Sequence, residues 1–143
     1  MKCPFCLCEK SNVYNSRATK NSTTKWRRRR CLECNNVYTT QETCDLYSIW
    51  RIKKTNSLLP YSKLKLLFSI MRSCDHKTNN DKISLYITEI VEEDLYCVSA
   101  KTNCTITNTD ISQAVLKALM SFDKVAYIKY ASHHNLPICD KII

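Results

Sequence analysis

The chain has 143 residues and its sequence predicts an α+β protein in two parts. A small β-rich unit held by a metal precedes a mainly helical unit that opens with a short β-hairpin. Three observations carry this reading. Cys3-Pro-Phe-Cys6 and Cys31-Leu-Glu-Cys34 form two C-x2-C pairs, the usual spacing of a structural metal site. The apolar period changes from two to about 3.6 residues beyond residues 44–48. Positive charge is concentrated near the start: residues 1–45 carry nine Lys/Arg against four Asp/Glu, a net +5. Residues 46–143 carry thirteen against nine, a net +4 over twice the length.

In the first part, residues 12–17, 23–30 and 36–41 read as strands, with a turn over 18–22 joining the first two. So short a unit buries little apolar surface and needs a staple. After it, "LYSIWRI" (46–52) reads as a buried strand, and "KKTNSLLPY" as a turn returning to a second strand. Pro60 stands where a helix can begin. Leu64, Leu67, Phe68 and Met71 then recur at helical spacing, as do Ile83, Ile87, Ile90 and Val91, with Asp81 as N-cap. A third helix places Ile111, Val115, Leu119 and Phe122 inward behind a Thr109 or Asp110 cap, and "DKVAYIKYASHH" makes a short last helix. The expected units are 1–45, 46–134 and a tail, 135–143.

No glycine occurs in the chain. This excludes every glycine-built phosphate cradle and leaves turns to Asn, Asp, Ser and Pro. The opening MKCPFC lacks an apolar leader-like run and no stretch is long enough to span a bilayer, so a cytoplasmic, reduced setting is expected. There, paired cysteines read as metal ligands. Cys3, Cys6, Cys31 and Cys34 would surround one Zn²⁺ tetrahedrally, a closed structural site with no open catalytic position. Cys8 is able to exchange with Cys6. The remaining cysteines are expected to be mostly small buried side chains.

Arg27, Arg28, Arg29 and Arg30 run directly into the second pair. On a strand they alternate, Arg27 and Arg29 on one face, Arg28 and Arg30 on the other. One pair would meet DNA phosphates or guanine edges while the other balances the thiolate cluster; Arg17 and Lys25 would widen the patch. Balancing the cluster is the alternative role for the whole run. Trp26 reads as a core lid rather than a stacking platform. Neutralising about four phosphates predicts a log–log salt slope near −3.6 per chain. Specific binding by so small a surface requires several copies, hence a homo-oligomer.

"MKCPFC", "NSR" (15–17), "RRRRCLEC" (27–34) and "YTTQE" (38–42) resemble the zinc ribbon of the NrdR family, bacterial repressors of ribonucleotide reductase genes. "RIKKTNSLLPYSKLKL" resembles the opening of an ATP-cone, and "FDKVAYIKYAS" (122–132) is similar to the family's closing helix. The resemblance spans about residues 1–134. It implies a DNA-binding repressor whose cone takes ATP or dATP as regulatory ligand, changes its oligomeric state, and sets the ribbons on paired operator repeats. By position, Arg17 and Arg27 to Arg30 would contact double-stranded DNA, in the cytoplasm and at the nucleoid. Lys53, Lys65, His76, Lys77 and Tyr127 or Tyr130 would lie near the nucleotide. The sequence departs from the pattern at Asn15, Trp26, Thr55-Asn56 and His76-Lys77-Thr78. Read from the residues alone, Lys53, Lys54, Lys63, Lys65 and Lys77 cluster about the hairpin and first helix, where a triphosphate in a chain without glycine would have to be held by such ammonium groups. A solvated lysine-rich face is the stronger reading without the resemblance, and His133 and His134 are exposed helix-end residues.

Two other functions compete. One is a constitutive zinc-ribbon nucleic-acid binder whose cone no longer senses nucleotide. The other, an enzyme, finds no carboxylate cluster beside the cysteines and no open metal position, so a non-enzyme is expected.

Overall fold

The computed structural model describes residues 1–18 and 24–137. Most of the turn expected over 18–22 lies outside them, as do Cys139 and the end of the tail.

Three antiparallel strands form the first sheet in the order β1-β2-β3: β1 Ser11–Ala18, β2 Thr24–Cys31 and β3 Val37–Thr43. Their Thr, Val, Tyr and Arg content suits an extended backbone. The register sets Arg17 opposite Trp26 and Asn15 opposite Arg28, and it shifts between Val13 and Asn15. Tyr14 is the extra residue of that bulge, where a strand bends and a side chain is re-aimed. On the other edge, Trp26 pairs with Gln41, Arg27 with Thr40 and Arg28 with Thr39.

From Leu46 the architecture changes. Sequence periodicity suggests a strand over 46–52, but the chain first makes one helical turn, α1 Leu46–Ile49, closed by the Trp50 amide donating to the Leu46 carbonyl (2.8 Å). That turn swings the Trp50 indole inward, where it is 1% exposed and meets Tyr61 and Tyr96 edge-on, at 5.2 and 5.0 Å between centroids. Only then comes a strand, β4 Arg51–Lys53, paired antiparallel with β5 Leu58–Pro60.

Four helices follow, α2 Lys63–Ser73, α3 Asn80–Lys101, α4 Asn108–Phe122 and α5 Lys124–His133. Between α3 and α4 a further strand, β6 Thr105–Thr107, pairs parallel with β4, so the expected hairpin is extended to a three-stranded sheet. The described residues divide into two compact units that part between Asp45 and Leu46.

Helix starts are fixed by small polar caps. Ser62 caps α2, accepting from the Lys65 amide. Thr107 and Asp110 form a reciprocal capping box at α4, so Asp110 acts from inside the first turn and Thr107, not Thr109, is the cap. Asp81 likewise lies within α3, whose N-cap is Asn79. Asp123 caps α5 through the Val125 and Ala126 amides.

The core of the second unit gathers Trp50, Ile70, Ile87, Val91, Leu95, Ile106, Val115, Leu119 and Ala126, among others. Ile87, Val91, Val115 and Leu119 are buried as their periodicity predicts. In α2 the inner face differs from expectation: Leu66, Ile70 and Ser73 are buried, whereas Leu64 and Phe68 are 64% and 61% exposed. Phe122, expected inside, is also exposed. Cysteines depart too: Cys74 is buried, Cys8 and Cys104 are half-buried, and Cys44 and Cys97 are exposed.

Without glycine, five of the described residues take the left-handed conformation directly: Leu7, Asn35, Asn103, Cys104 and Asn135. Three are asparagine, the residue that tolerates it best after glycine. Leu7, at φ 61°, is a costlier choice and stands inside the first cysteine knuckle.

Candidate functional site

The two knuckles converge at one end of the first sheet. In the first, the Leu7 amide donates to the Cys3 carbonyl (2.9 Å) and the Cys3 amide to the Cys8 carbonyl (2.8 Å). In the second, the Cys31 amide donates to the Asn36 carbonyl (3.0 Å). These turns bring Cys3 Sγ within 3.7 Å of Cys34 Sγ, and Cys6 Sγ within 3.5 Å of Cys31 Sγ. All four sulfurs lie within 4.8 Å of one another.

A tetrahedral zinc with Zn–S bonds of about 2.3 Å requires sulfur–sulfur edges of about 3.8 Å. The cluster therefore fits a zinc ion. Its electrostatics favour one as well. The Cys31 thiol is lowered to about 6, chiefly by the Cys34 amide against the cost of burial, helped by the Glu33 amide and neighbouring thiols. Cys6 is pushed up to about 12 although the Cys8 amide pulls it down, because the Cys34, Cys31 and Cys3 thiols and burial outweigh that pull. One thiolate forms readily and a second is resisted by crowding, a conflict that a divalent cation removes. Cys8 stands outside this set: its sulfur accepts from the Lys10 amide at 3.3 Å.

The arginine run divides as strand alternation predicts, and the register shows which partners each face has. On one face Arg27 pairs with Glu42 through one side of its guanidinium: a terminal nitrogen donates to one carboxylate oxygen at 2.9 Å, and Nε lies 2.6 Å from the other. Beside it, Arg29 Nε donates to Thr40 Oγ1 (3.2 Å). The Arg27 guanidinium, donating to Glu42, holds that carboxyl below its ordinary range. On the opposite face Arg28 and Arg30 lie over the Tyr14 ring, at 5.9 and 5.5 Å from its centroid. Arg17 and Trp26, paired across the strands, share that face. Trp26 is 46% exposed, so the indole is no core lid; Trp50 has that role in the other unit.

The helical unit holds a cavity of about 550 Å³, a size typical of small-ligand sites. Leu59, Pro60, Leu66, Ile111 and Tyr130 give it apolar walls, while Lys54, Lys65, Ser69, Asn108, Thr109 and Ser112 supply polar groups. Asn108 and Thr109 open α4, where the Thr107 hydroxyl already takes the Asp110 amide and the positive end of the helix dipole favours an anion. The Tyr61 ring is a further wall, fixed from behind: its hydroxyl donates to Glu92 Oε1 (2.8 Å), whose second oxygen accepts from Lys63 (2.6 Å). Burial first, and then the Glu92 charge, push the Tyr61 hydroxyl far up. Burial also raises Tyr130, against the Ser69 and Ser112 hydroxyls.

Of the nucleotide candidates, Lys65 and Tyr130 line this cavity. Lys53 does not; alternation along β4 buries Ile52 and leaves Lys53 outside, and Lys54 is the lysine at the rim. His76 and Lys77 are not at the cavity either. Both hold Asp123, at 3.0 and 2.5 Å, and so pin the start of α5. Asp75 and Lys129 form another ion pair there. Tyr127 is buried in the unit without lining the cavity. His134, by contrast, lines it and contacts Ser69 at 2.8 Å. Burial lowers its pKa, with His133 and Arg72 adding to the effect. Lys54 was among the hairpin lysines the sequence pointed to, whereas sequence reasoning did not place Asn108, Thr109 and Ser112 at the cavity; the signal available for them was a Thr-x-x-Asp capping box fronting a helix.

A cysteine-clamped three-stranded sheet defines a zinc-ribbon protein, here joined to a second α+β unit. Residues 1–42 match the family model for the Transcriptional repressor NrdR-like N-terminal domain. Curated relatives named Transcriptional repressor NrdR extend the match. One from Clostridium botulinum (strain Eklund 17B / Type B) is 34% identical over 132 residues, 92% of this chain and 86% of the relative. One from Petrotoga mobilis is 35% identical over 133 residues, with the same coverage, and one from Caldanaerobacter subterraneus is 34% identical over 132 residues, 92% and 82%. The chain belongs to the NrdR family of transcriptional repressors. No described helix is long and apolar enough to cross a membrane.

Proposed function

We propose that this chain is a zinc-dependent repressor of ribonucleotide reductase genes whose helical unit responds to ATP and dATP. It acts in the cytoplasm, at the nucleoid when bound, as a homo-oligomer on paired operator repeats. Cys3, Cys6, Cys31 and Cys34 hold the structural zinc, and that ion clamps the sheet that presents the arginines to DNA. The observation that carries the nucleotide reading is the cavity over β4, α2 and the start of α4. Its apolar side accepts an adenine ring, and its polar rim sets two ammonium groups and a helix N-terminus where phosphates would lie. In a chain without glycine, this is how a triphosphate is held.

Calorimetric titration and size-exclusion chromatography with ATP, with dATP and without ligand test the reading, followed by shift assays on duplexes carrying paired repeats. A heat of binding and a change of oligomer size are expected. Lys65→Ala and Lys54→Ala should each weaken nucleotide binding by about tenfold, while Lys53→Ala leaves it near parental and no variant changes zinc content. A parent that binds DNA but neither nucleotide would make the protein a constitutive ribbon-type binder.

A further inference from the structure

The two faces of the first sheet differ in charge. Among the described strand residues its one carboxylate, Glu42, lies on the Arg27 face and occupies that arginine. The opposite face carries Arg17, Arg28 and Arg30 with no carboxylate on any strand position paired to them. There, Asn15, Arg17, Trp26, Arg28 and Thr39 enclose a depression of about 200 Å³. A three-guanidinium surface complements a polyanion, and β-strands are among the elements that read duplex DNA from its grooves.

The indole needs a separate account. Trp26 carries no charge and offers one N–H donor, so it adds nothing to phosphate attraction. Yet it is half exposed in the middle of the cationic face. An aromatic plane flanked by arginine forks, an amide and a hydroxyl has the chemistry of base contact: apolar surface for a thymine methyl or base edge, with polar groups able to read its neighbours. Tyr14 contributes differently, holding Arg28 and Arg30 over its ring and so limiting their freedom before DNA arrives.

Resting on the DNA-binding reading above, we infer that the Trp26 face is the one that meets duplex DNA, with Trp26 as a specificity-determining base contact and Arg17, Arg28 and Arg30 as its phosphate anchors. Arg27 instead braces β2 against β3.

Two fluorescein-labelled duplexes test this at fixed dATP and several salt concentrations. One is selected from a randomised pool by the parent protein, and the other is its scrambled counterpart. Trp26→Ala should shrink the affinity ratio between them about tenfold, the scale of one lost base contact, with the salt slope unchanged. Trp26→Phe should retain part of the ratio. Arg28→Ala with Arg30→Ala should instead make the slope shallower by about two units. Zinc content confirms that each variant folds. Because Trp50 is buried, acrylamide quenching reports mainly on Trp26 and should fall when DNA binds. An unchanged ratio in Trp26→Ala, or equal quenching free and bound, overturns the inference while leaving DNA binding intact. A parent that enriches no duplex from the pool overturns the DNA-binding reading itself.

Discussion

Between Met1 and Asp45 the buried side chains among the described residues are two cysteines, Cys3 and Cys31, whereas from Trp50 onward an interlocked core runs through every helix. The first unit's strands are wet on both faces, and what it lacks in apolar burial must come from sulfur–metal bonds. The second unit has the reverse arrangement. Its aromatic and aliphatic core is ample, and its buried ionic groups are paired. The difference teaches that one chain can divide its stability between two unrelated sources, and that each source should fail alone.

The strongest way to break the comparison is to remove the ion. Chelation, or Cys31→Ser, should unfold residues 1–45 and abolish DNA binding, because ribbon folding and metal binding are one event worth ~10 kcal/mol or more. The helical unit should keep its near-ultraviolet signal from Trp50. A folded, metal-free first unit by elemental analysis and circular dichroism would end the argument.

A smaller effect is expected from the other side. Trp50→Ala should cost the helical unit ~3–5 kcal/mol in denaturant unfolding, since the indole fills space between Tyr61 and Tyr96, and should leave zinc content at one ion per chain. Loss of zinc in that variant would mean the units are not separable.

The smallest effect sharpens the comparison by pH. Burial opposes ionisation of Asp123, but Lys77, His76 and the Val125 and Ala126 amides outweigh it and hold the carboxyl well below its usual range. A depressed carboxyl contributes stability that is full above its unfolded pKa of ~3.9 and fades as pH falls through the acid range. Asp123→Ala should therefore lower stability at neutral pH by ~2 kcal/mol, and the gap to the parent should close on acidification. A gap that persists unchanged at low pH would remove the ion pairs from the account.

The metal centre and the three strands around it were legible in the sequence because their signals are local: two-residue knuckle spacing and short β-prone runs. The split of the arginines was legible for the same reason, strand alternation. Which face stays open was not, because that depends on Glu42 reaching Arg27 from the neighbouring strand. Helix α2 misled because both its sides are apolar; Leu64 and Phe68 match the period as well as Leu66 and Ile70 do, and only the position of α3 decides between them. Strand β6 is three residues in a polar stretch and exists because β4 offers an edge. His76 and Lys77 were expected near a ligand by position in the family pattern, and the sequence does not show that Asp123, some forty-five residues on, pairs with both. The cavity's helix-end groups, Asn108 and Thr109, carry no charge to advertise them.

Pairing of Arg51–Lys53 with Thr105–Thr107 has a consequence for biosynthesis. The loop it closes is roughly fifty residues long, so the rim of the cavity near Lys54 meets its far side at Asn108 only after α2 and α3 have emerged and packed. A nascent or truncated chain ending before Thr105 would already own its complete set of thiolates and still have nowhere to lodge a nucleotide.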